Sequence, residues 1–291
     1  MISMNILIIG ASGFVGKSLV LRLVNEKKYK LHLVSRNKQF DFQGAKVLIG
    51  DLSDISFCNK IIQGIDIVLY LAAERKNIAH HTEFPFDYTT GNLKPLLTFL
   101  EAIKKSKIIK LIYLSSTIVE YANYNSENDG YVLGKFANEI ILKGFTKQYP
   151  LIDVVIMRSA AVYGPGDNFD SDSATFIPAI IGRIANSKDE IIVWGSGLRK
   201  LQFIYIDDLV ENLHKAINEN VNYTPVIGFQ ENVSIKHIVE KIMDISDKDL
   251  KVVYNPSKPD KITKLVEFRN IVTPSVNLDN GLKRTIEYYM S

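Results

Sequence analysis

Short runs of β-branched and aliphatic residues alternate along the chain with longer stretches whose apolar positions recur every three or four residues. Strand-like runs fall at Met4–Ile9, Leu31–Val34, Val47–Ile49, Ile67–Leu71, Ile109–Leu114 and Ile152–Met157. Helical period marks Gly13–Asn25, Asn92–Lys105 and Tyr131–Tyr149. A strand followed by a helix and another strand requires a crossover, and crossovers build a parallel sheet with helices on both faces. The pattern predicts an α/β protein with a doubly wound sheet. After Gly164 the rhythm changes: a Gly/Pro/Asp-rich loop, YGPGDNFDSDS, precedes a helix at Phe176–Asn186 and short strands at Ile191–Trp194 and Gln202–Tyr205. Helices are expected at Asp207–Asn218 and Ser234–Met243. These shorter pieces predict a smaller substrate-binding lobe over 164–291, with segments at about 203–230 returning to the large domain of residues 1–163.

Composition narrows the field by exclusion. Thirty-five Lys and Arg against 32 Asp and Glu leave +3 over 291 residues, with 46% hydrophobic and 23% charged, the balance of an ordinary globular chain. The charges are interspersed, so there is no electrostatic ground for nucleic-acid binding or a polybasic membrane surface. The single cysteine, Cys58, can form no intramolecular disulfide and no multi-thiolate metal site, and reads as a small buried residue in a reducing compartment. Neither MISMNILIIG nor any other stretch reaches the ~18 apolar residues of a spanning helix, and the expectation is a cytoplasmic protein. His32, His80, His81, His214 and His237 are scattered without metal-ligand spacing, so no metal is expected.

The first strand runs into GASGFVG, which places Gly10, Gly13 and Gly16 at a strand-to-helix junction with Ser12, Phe14 and Val15 between them. Such a junction needs glycine for a tight turn, for approach of backbone to a pyrophosphate and for close helix–strand packing, with the helix N-terminus facing the anion. The G-x-x-G-x-x-G spacing differs from the commoner G-x-G-x-x-G, yet in this strand–turn–helix setting it predicts a Rossmann-type dinucleotide site. Where NAD sites usually place an acidic residue after the second strand, this chain has Ser35 and Arg36, which leans towards NADP over NAD. Asp51 and Leu52, after the third strand, are candidates for the adenine end, though Asp after Gly is also turn chemistry.

Tyr131 and Lys135 form a Tyr-x-x-x-Lys pair, one helical turn apart on one face. About one such match is expected by chance in a chain with 14 tyrosines, and a second occurs at Tyr254 and Lys258. Pro256 interrupts the helix that the second would need. Upstream of the first, LIYLSST ends a strand and can present the Thr117 hydroxyl beside the phenol. A phenol, with an ordinary pKa of about 10, becomes an effective acid–base group when a neighbouring ammonium stabilises its phenolate. Thr117 would hold the reacting oxygen.

These residues resemble the extended short-chain dehydrogenase/reductases, in the nucleotide-sugar epimerase, dehydratase and reductase branch. The resemblance runs from Gly10 through Asp51, YLAA with Leu71, Ala72 and Ala73, the cluster of Pro85, Asp87, Tyr88 and Asn92, LSST, Tyr131, Lys135 and Glu139, Arg158, VYGPGD, WGSG and FIYIDDL. It implies that the first half binds NAD(P), with Lys135 holding the nicotinamide ribose, and that the second half closes over a nucleotide-diphosphate sugar. It also implies substrate contacts at Glu74, Thr117, Ala161, Asn168 and Arg199, and a homodimer through the two long helices. Within the family the pattern is most similar to the GDP-fucose synthases and related 4-keto-sugar reductases. Those synthases carry a cysteine and a histidine that epimerise the substrate, where this chain has Val119 and Thr175. Family dehydratases place an Asp-Glu pair where Ile118 and Val119 stand, and Glu120 falls one place late. An Asn that commonly precedes VYGP is Ala161, and the phosphate-binding Arg expected in the WGSG region is Leu201, with Arg199 as a substitute. The segment between Thr117 and Tyr131 is shorter than usual. The resemblance implies a reductase of a 4-keto nucleotide sugar. The alternatives are a 4-epimerase with retained NAD and a dinucleotide-binding sensor without chemistry.

Overall fold

The computed structural model describes residues 4–74, 82–121, 129–170, 174–221, 223–228, 232–257 and 271–291. His80, His81, Lys258, residues 122–128 between Thr117 and Tyr131, and residues 171–173 of the loop after Gly164 lie outside the described residues. The chain forms two compact units. One comprises Met1–Arg75, Phe84–Arg158 and Val210–Pro225, the other Lys76–Glu83, Ser159–Leu209 and Val226–Ser291.

In the first unit, strands β1 (Met4–Ile9), β2 (Tyr29–Ser35), β3 (Lys46–Ile49), β4 (Ile67–Tyr70), β5 (Lys110–Ser116) and β6 (Asp153–Ser159) lie in the order β3-β2-β1-β4-β5-β6. The pairings are parallel: Ile8 of β1 faces Leu33 of β2 and Leu69 of β4, and Leu69 faces Ile112 of β5. The chain builds outward from β1 to β3, jumps back, and builds outward again on the other side. Reversal between β1 and β4 opens a crevice at the carboxyl ends of those strands, where such sheets bind ligands. This is the Rossmann-type doubly wound sheet that the alternating pattern implied.

Helices α1 (Phe14–Val24), α2 (Ile55–Ile61), α3 (Pro85–Ile103) and α4 (Gly130–Gln148) belong to this unit. All four positions of β4 are buried, as expected for a central parallel strand covered on both faces. One core cluster joins Leu7, Ile9, Val68 and Tyr70 to Leu96, Phe99 and Ile103 of α3 and to Leu111, Tyr113 and Leu142. Each such side chain contributes about 1.5–3 kcal/mol on burial. Helix α3 begins seven residues before the expected Asn92, because Pro85 suits a first helical turn, where its missing N–H costs nothing. Gly91 and Pro95 had masked the period. Helix α2 was not anticipated: seven residues are too few to show a period, and its signal is the Asp54 cap, whose side chain accepts from Ser56 N at 2.8 Å.

In the second unit, β7 (Ala161–Tyr163) pairs parallel with β10 (Phe203–Tyr205), β8 (Glu190–Trp194) with β13 (Lys251–Asn255), and β11 (Val226–Ile227) with β14 (Ile271–Val272). Strands β9 (Lys200–Leu201) and β12 (Val233–Ser234) form an antiparallel ribbon. The helices are α5 (Phe176–Asn186), α6 (Ile206–Asn218), which continues into the first unit, α7 (Ile235–Ile245) and α8 (Leu278–Met290). Asp208, buried, accepts from Ser275 N at 2.8 Å, Ser275 Oγ at 2.5 Å and Val276 N at 3.0 Å, and so fastens the segment that leads into α8. Among the described residues no helix is long and apolar enough to cross a membrane.

Candidate active site

The chain leaves β1 through Gly10, whose φ of 87° lies in the left-handed region that favours glycine. A Cβ there would stand 2.7 Å from Ala72 N, and one at Gly16 would stand 2.2 Å from the Gly10 carbonyl oxygen. Both glycines are therefore required by packing. Gly13 differs: a Cβ on it would meet only the Gly10 oxygen, at 3.4 Å, so this backbone is open to a ligand. Gly13 is also the N-cap of α1, with no side-chain cap and no acidic residue in the first turn. The first N–H groups of α1 remain available to an anion. The turn is tied to β2, since Gly10 N and Ala11 N both donate to the Val34 oxygen, at 3.1 and 3.2 Å. Ser35 Oγ donates to Ser12 Oγ at 2.8 Å and accepts from Asn37 N at 2.9 Å.

Beside this turn, in the same unit, lies a cavity of about 380 Å³. Gly10, Ser12, Gly13, Arg36, Asp51, Leu52, Leu71, Ala72, Ala73 and Glu74 line it. Phe14, Val15, Gly16 and Lys135 do not. The glycine cradle, the open N–H groups and a neighbouring cavity of this size together fit a dinucleotide. Arg36 is exposed at the wall, and Asp51, also exposed, spends one carboxylate oxygen on Ser53 N at 2.8 Å. Asn92 also lines the cavity, and its amide orders the wall: Oδ1 accepts from Glu74 N at 2.8 Å while Nδ2 donates to the Tyr88 oxygen at 2.9 Å. Sequence reasoning named Asn92 only within a motif; its position seven residues into a helix gave no hint of this wall. Burial holds the Tyr70 hydroxyl, at the same wall, well above the usual phenol range.

Next to β4, β5 ends at Ser116 and turns through a short 3-10 segment, Thr117–Tyr121, with Thr117 buried. Helix α4 starts at Gly130 because buried Asp129 caps it, its side chain accepting from Tyr131 N and Val132 N at 3.2 Å each. Gly130 allows close packing of α4 on α3, since a Cβ would lie 2.6 Å from the Pro85 oxygen. Tyr131 therefore falls in the first turn of α4, half-buried, its ring edge-on to Tyr88 with centroids 6.5 Å apart. One turn on, Lys135 is 4% exposed, and its ammonium donates to the Leu114 carbonyl at 2.7 Å and lies 4.9 Å from the Tyr113 ring centroid. Asn138 Nδ2 donates to Tyr113 Oη at 2.9 Å, which fixes that ring.

A further turn along, buried Glu139 receives Arg158 Nε at 2.9 Å and Nη2 at 2.6 Å, and accepts from Ser115 Oγ at 2.5 Å. Arg158 Nη1 pairs with Glu120 in the Thr117 turn. The hydrogen bond to Glu139 raises the Arg158 pKa further above its ordinary value. Glu139 and Arg158 were named only within the resemblance, and the spacing of Tyr131 and Lys135 carried no signal for this network. Val119 is buried.

In the second unit, Ala161 opens β7 and its N–H donates to the Gln202 carbonyl at 3.0 Å. Asn168 is exposed in the loop after Gly164, where its Oδ1 accepts from Asp170 N at 2.9 Å. Arg199 is partly buried, and its carbonyl accepts from Ile235 N at 2.9 Å. Thr175 is the N-cap residue of α5, and its hydroxyl donates to Asp167 at 3.5 Å. Cys58 donates to the Leu52 oxygen at 3.2 Å, and burial, with Asp54 and Asp51 nearby, pushes its thiol up to about 11. Among the described residues no group of three or more His, Cys, Asp or Glu could hold a metal ion.

A doubly wound parallel sheet with a glycine-built, anion-ready turn at its switch point defines a Rossmann-type dinucleotide-binding protein. The family model described as NAD dependent epimerase/dehydratase family matches residues 6–228. The chain belongs to that family, and it is one of its NAD(P)-dependent enzymes. It is 24% identical over 317 residues to GDP-L-colitose synthase of Yersinia pseudotuberculosis, covering 99% of this chain and 98% of that one. It is also 24% identical over 279 residues to dTDP-4-dehydro-6-deoxy-D-allose reductase of a Streptomyces species, covering 87% and 85%. Among solved structures, the UDP-glucose 4-epimerase of Thermotoga maritima with UDP-glucose superposes with a TM-score of 0.86 at 22% identity, covering 99% of each chain. That likeness shows the fold.

Proposed function

We propose that the protein is a reductase of a 4-keto nucleotide-diphosphate sugar that prefers NADPH to NADH. The observation that carries this reading is Lys135, buried and anchored on the Leu114 carbonyl, one turn from Tyr131 against the strand that ends beside Thr117. NADP would be held along Gly10, Ser12 and Gly13, with Arg36 towards a 2′-phosphate, Asp51 and Leu52 towards the adenine, and Leu71, Ala72 and Ala73 along the opposite wall. When bound, the dinucleotide supplies the hydride. Tyr131 gives its hydroxyl proton to the carbonyl oxygen of the sugar, the Lys135 ammonium stabilises the phenolate left behind, and Thr117 donates to the same oxygen and orients it.

The departures from related enzymes support reduction without other chemistry. Val119 and Thr175 cannot exchange a proton at neutral pH, so carbons neighbouring the ketone keep their configuration. Glu120 is engaged by Arg158, and Ile118 offers no acid, so the pair that dehydration requires is missing. A relative named as a 4-dehydro-sugar reductase, matched over 87% of this chain, agrees with this assignment.

The test is a panel of GDP-, UDP-, dTDP- and CDP-linked 4-keto sugars assayed for consumption of NADPH and NADH. Turnover with NADPH supports the reading. NAD that survives purification, with no net consumption of added NADPH, assigns a 4-epimerase instead. Failure to bind any dinucleotide overturns both. The partner of the chain is proposed to be a second copy: Leu97 on α3 and Phe136 and Ile140 on α4 are exposed apolar side chains on the two long helices. Sedimentation of Ile140→Lys should give a lighter species than the parent protein.

A further inference from the structure

Among the described residues, carboxamide atoms of two side chains in the second unit are buried without a hydrogen bond. Gln202 is 6% exposed, and both Nε2 and Oε1 of its side chain are buried without a hydrogen bond. Asn232 Oδ1 is likewise buried without one. The two residues flank one end of a single ribbon: β9–β12 pairs Lys200 with Ser234 and Leu201 with Val233, and Gln202 directly follows β9 as Asn232 directly precedes β12. The backbone of Gln202 is spoken for, since its carbonyl accepts from Ala161 N at 3.0 Å. Its side chain is not. A buried amide normally finds partners, and an unmet one is destabilising, so its retention calls for a ligand that meets it.

We propose that Gln202 and Asn232 form a recognition site for a neutral group of the substrate that presents hydrogen-bond donors beside an acceptor. This rests on the nucleotide-sugar reading above. The chemistry follows from the inventory. Gln202 requires one acceptor for its NH₂ and one donor for its oxygen, whichever way the amide is turned, and Asn232 adds a further site. A phosphate offers acceptors alone and would face the Gln202 oxygen with like partial charge. A vicinal diol of a pyranose meets the requirement, and so does the Watson–Crick edge of guanine, with N1–H and N2–H beside O6. The uracil edge, one donor between two acceptors, fits less well.

The experiment measures calorimetric binding of GDP, UDP, a GDP-hexose and a UDP-hexose to the full-length wild type, Gln202→Leu and Asn232→Leu, together with the melting temperature of each ligand-free protein. Gln202→Leu keeps the volume and removes the unmet amide. The expected result is an unchanged or raised melting temperature with a tenfold or greater loss of affinity. Loss for GDP and not for UDP assigns the guanine edge. Loss for both hexose-linked nucleotides, with GDP and UDP unaffected, assigns the sugar diol. If wild type binds these ligands and Gln202→Leu binds them equally, the recognition site is refuted while the nucleotide-sugar reading stands. If wild type binds none of them, the recognition site falls, and the nucleotide-sugar reading falls with it when the dTDP- and CDP-linked sugars of the panel above are not turned over either. A variant melting well below wild type would show that the carboxamide has a partner within the protein, which also refutes the proposal.

Discussion

The Lys135 ammonium donates to the Leu114 carbonyl oxygen at 2.7 Å, which pins a charged side chain on α4 to the strand that leads into the Thr117 turn. On the proposed mechanism a lysine so held acts on Tyr131 without first being immobilised, and the two substitutions therefore separate. Tyr131→Phe should lower kcat by about 10²-fold or more with little change in melting temperature. Lys135→Met should lower kcat comparably and also cost about 1–3 kcal/mol in stability, because the buried Leu114 carbonyl loses its donor. Steady-state kinetics and urea denaturation on the same preparations test both. A Tyr131→Phe variant with unchanged kcat would remove the phenol from the mechanism.

Gly16 illustrates a packing demand that local sequence cannot state. With 2.2 Å between a would-be Cβ and the Gly10 oxygen, Gly16→Ala must push α1 away from β1. The expected cost is about 1–3 kcal/mol, with weakened dinucleotide binding because the turn moves with the helix. Gly13→Ala, whose Cβ would meet only one atom at 3.4 Å, should leave stability nearly intact and weaken dinucleotide binding alone. Thermal melts with and without NADP distinguish the two patterns.

Arg158 holds two carboxylates, buried Glu139 midway along α4 and Glu120 in the Thr117 turn. Arg158→Met should destabilise the protein by about 3–5 kcal/mol, since Glu139 keeps its burial and loses its counter-charge. Glu139→Gln combined with Arg158→Met should recover much of that loss, because the carboxylate then left without its partner, Glu120, is exposed and no buried charge remains unpaired. Chemical denaturation of the three proteins is the check; a double variant no better than the single one would contradict it.

Arg36 stands exposed at the cavity wall, in the position where a 2′-phosphate would be met. Arg36→Ala should raise KM for NADPH about tenfold and leave KM for NADH almost unchanged. Equal effects on the two cofactors would exclude a role for Arg36 in discriminating them.

The Cys58 thiol, raised from 9.0 to about 11 chiefly by burial, keeps its proton in the folded protein at pH values where the unfolded chain begins to lose it. The folded state thus binds the proton more tightly. Its stabilising contribution is complete below about pH 9 and is lost as pH rises towards 11. At pH 8 a thiol reagent should modify native protein at least about 10²-fold more slowly than denatured protein. Rapid native labelling would show that the site is open.

How much of this was legible beforehand depends on the range of the interaction concerned. The strand–helix alternation, the Gly10–Gly16 turn and the Tyr131–Lys135 step are local patterns, readable because period and glycine spacing act over a few residues. Helix α2 and the small pairings β9–β12 and β11–β14 were not readable, being too short to show a period. Asn92 as the prop of the cavity wall and Arg158 as the link between two carboxylates were not readable either, since each acts on residues far away in the chain.

The order of amino acids alone determined that a parallel sheet would form, where its dinucleotide turn would lie and which phenol and ammonium share a helix face. Only the tertiary structure decided that Lys135 is fastened to Leu114, that Glu120 is engaged by Arg158, and that the Gln202 carboxamide is buried without a hydrogen bond among the described residues. Hydrophobic periodicity is written in neighbouring residues, whereas burial and hydrogen-bond satisfaction are set by which distant segments the fold brings within 3 Å.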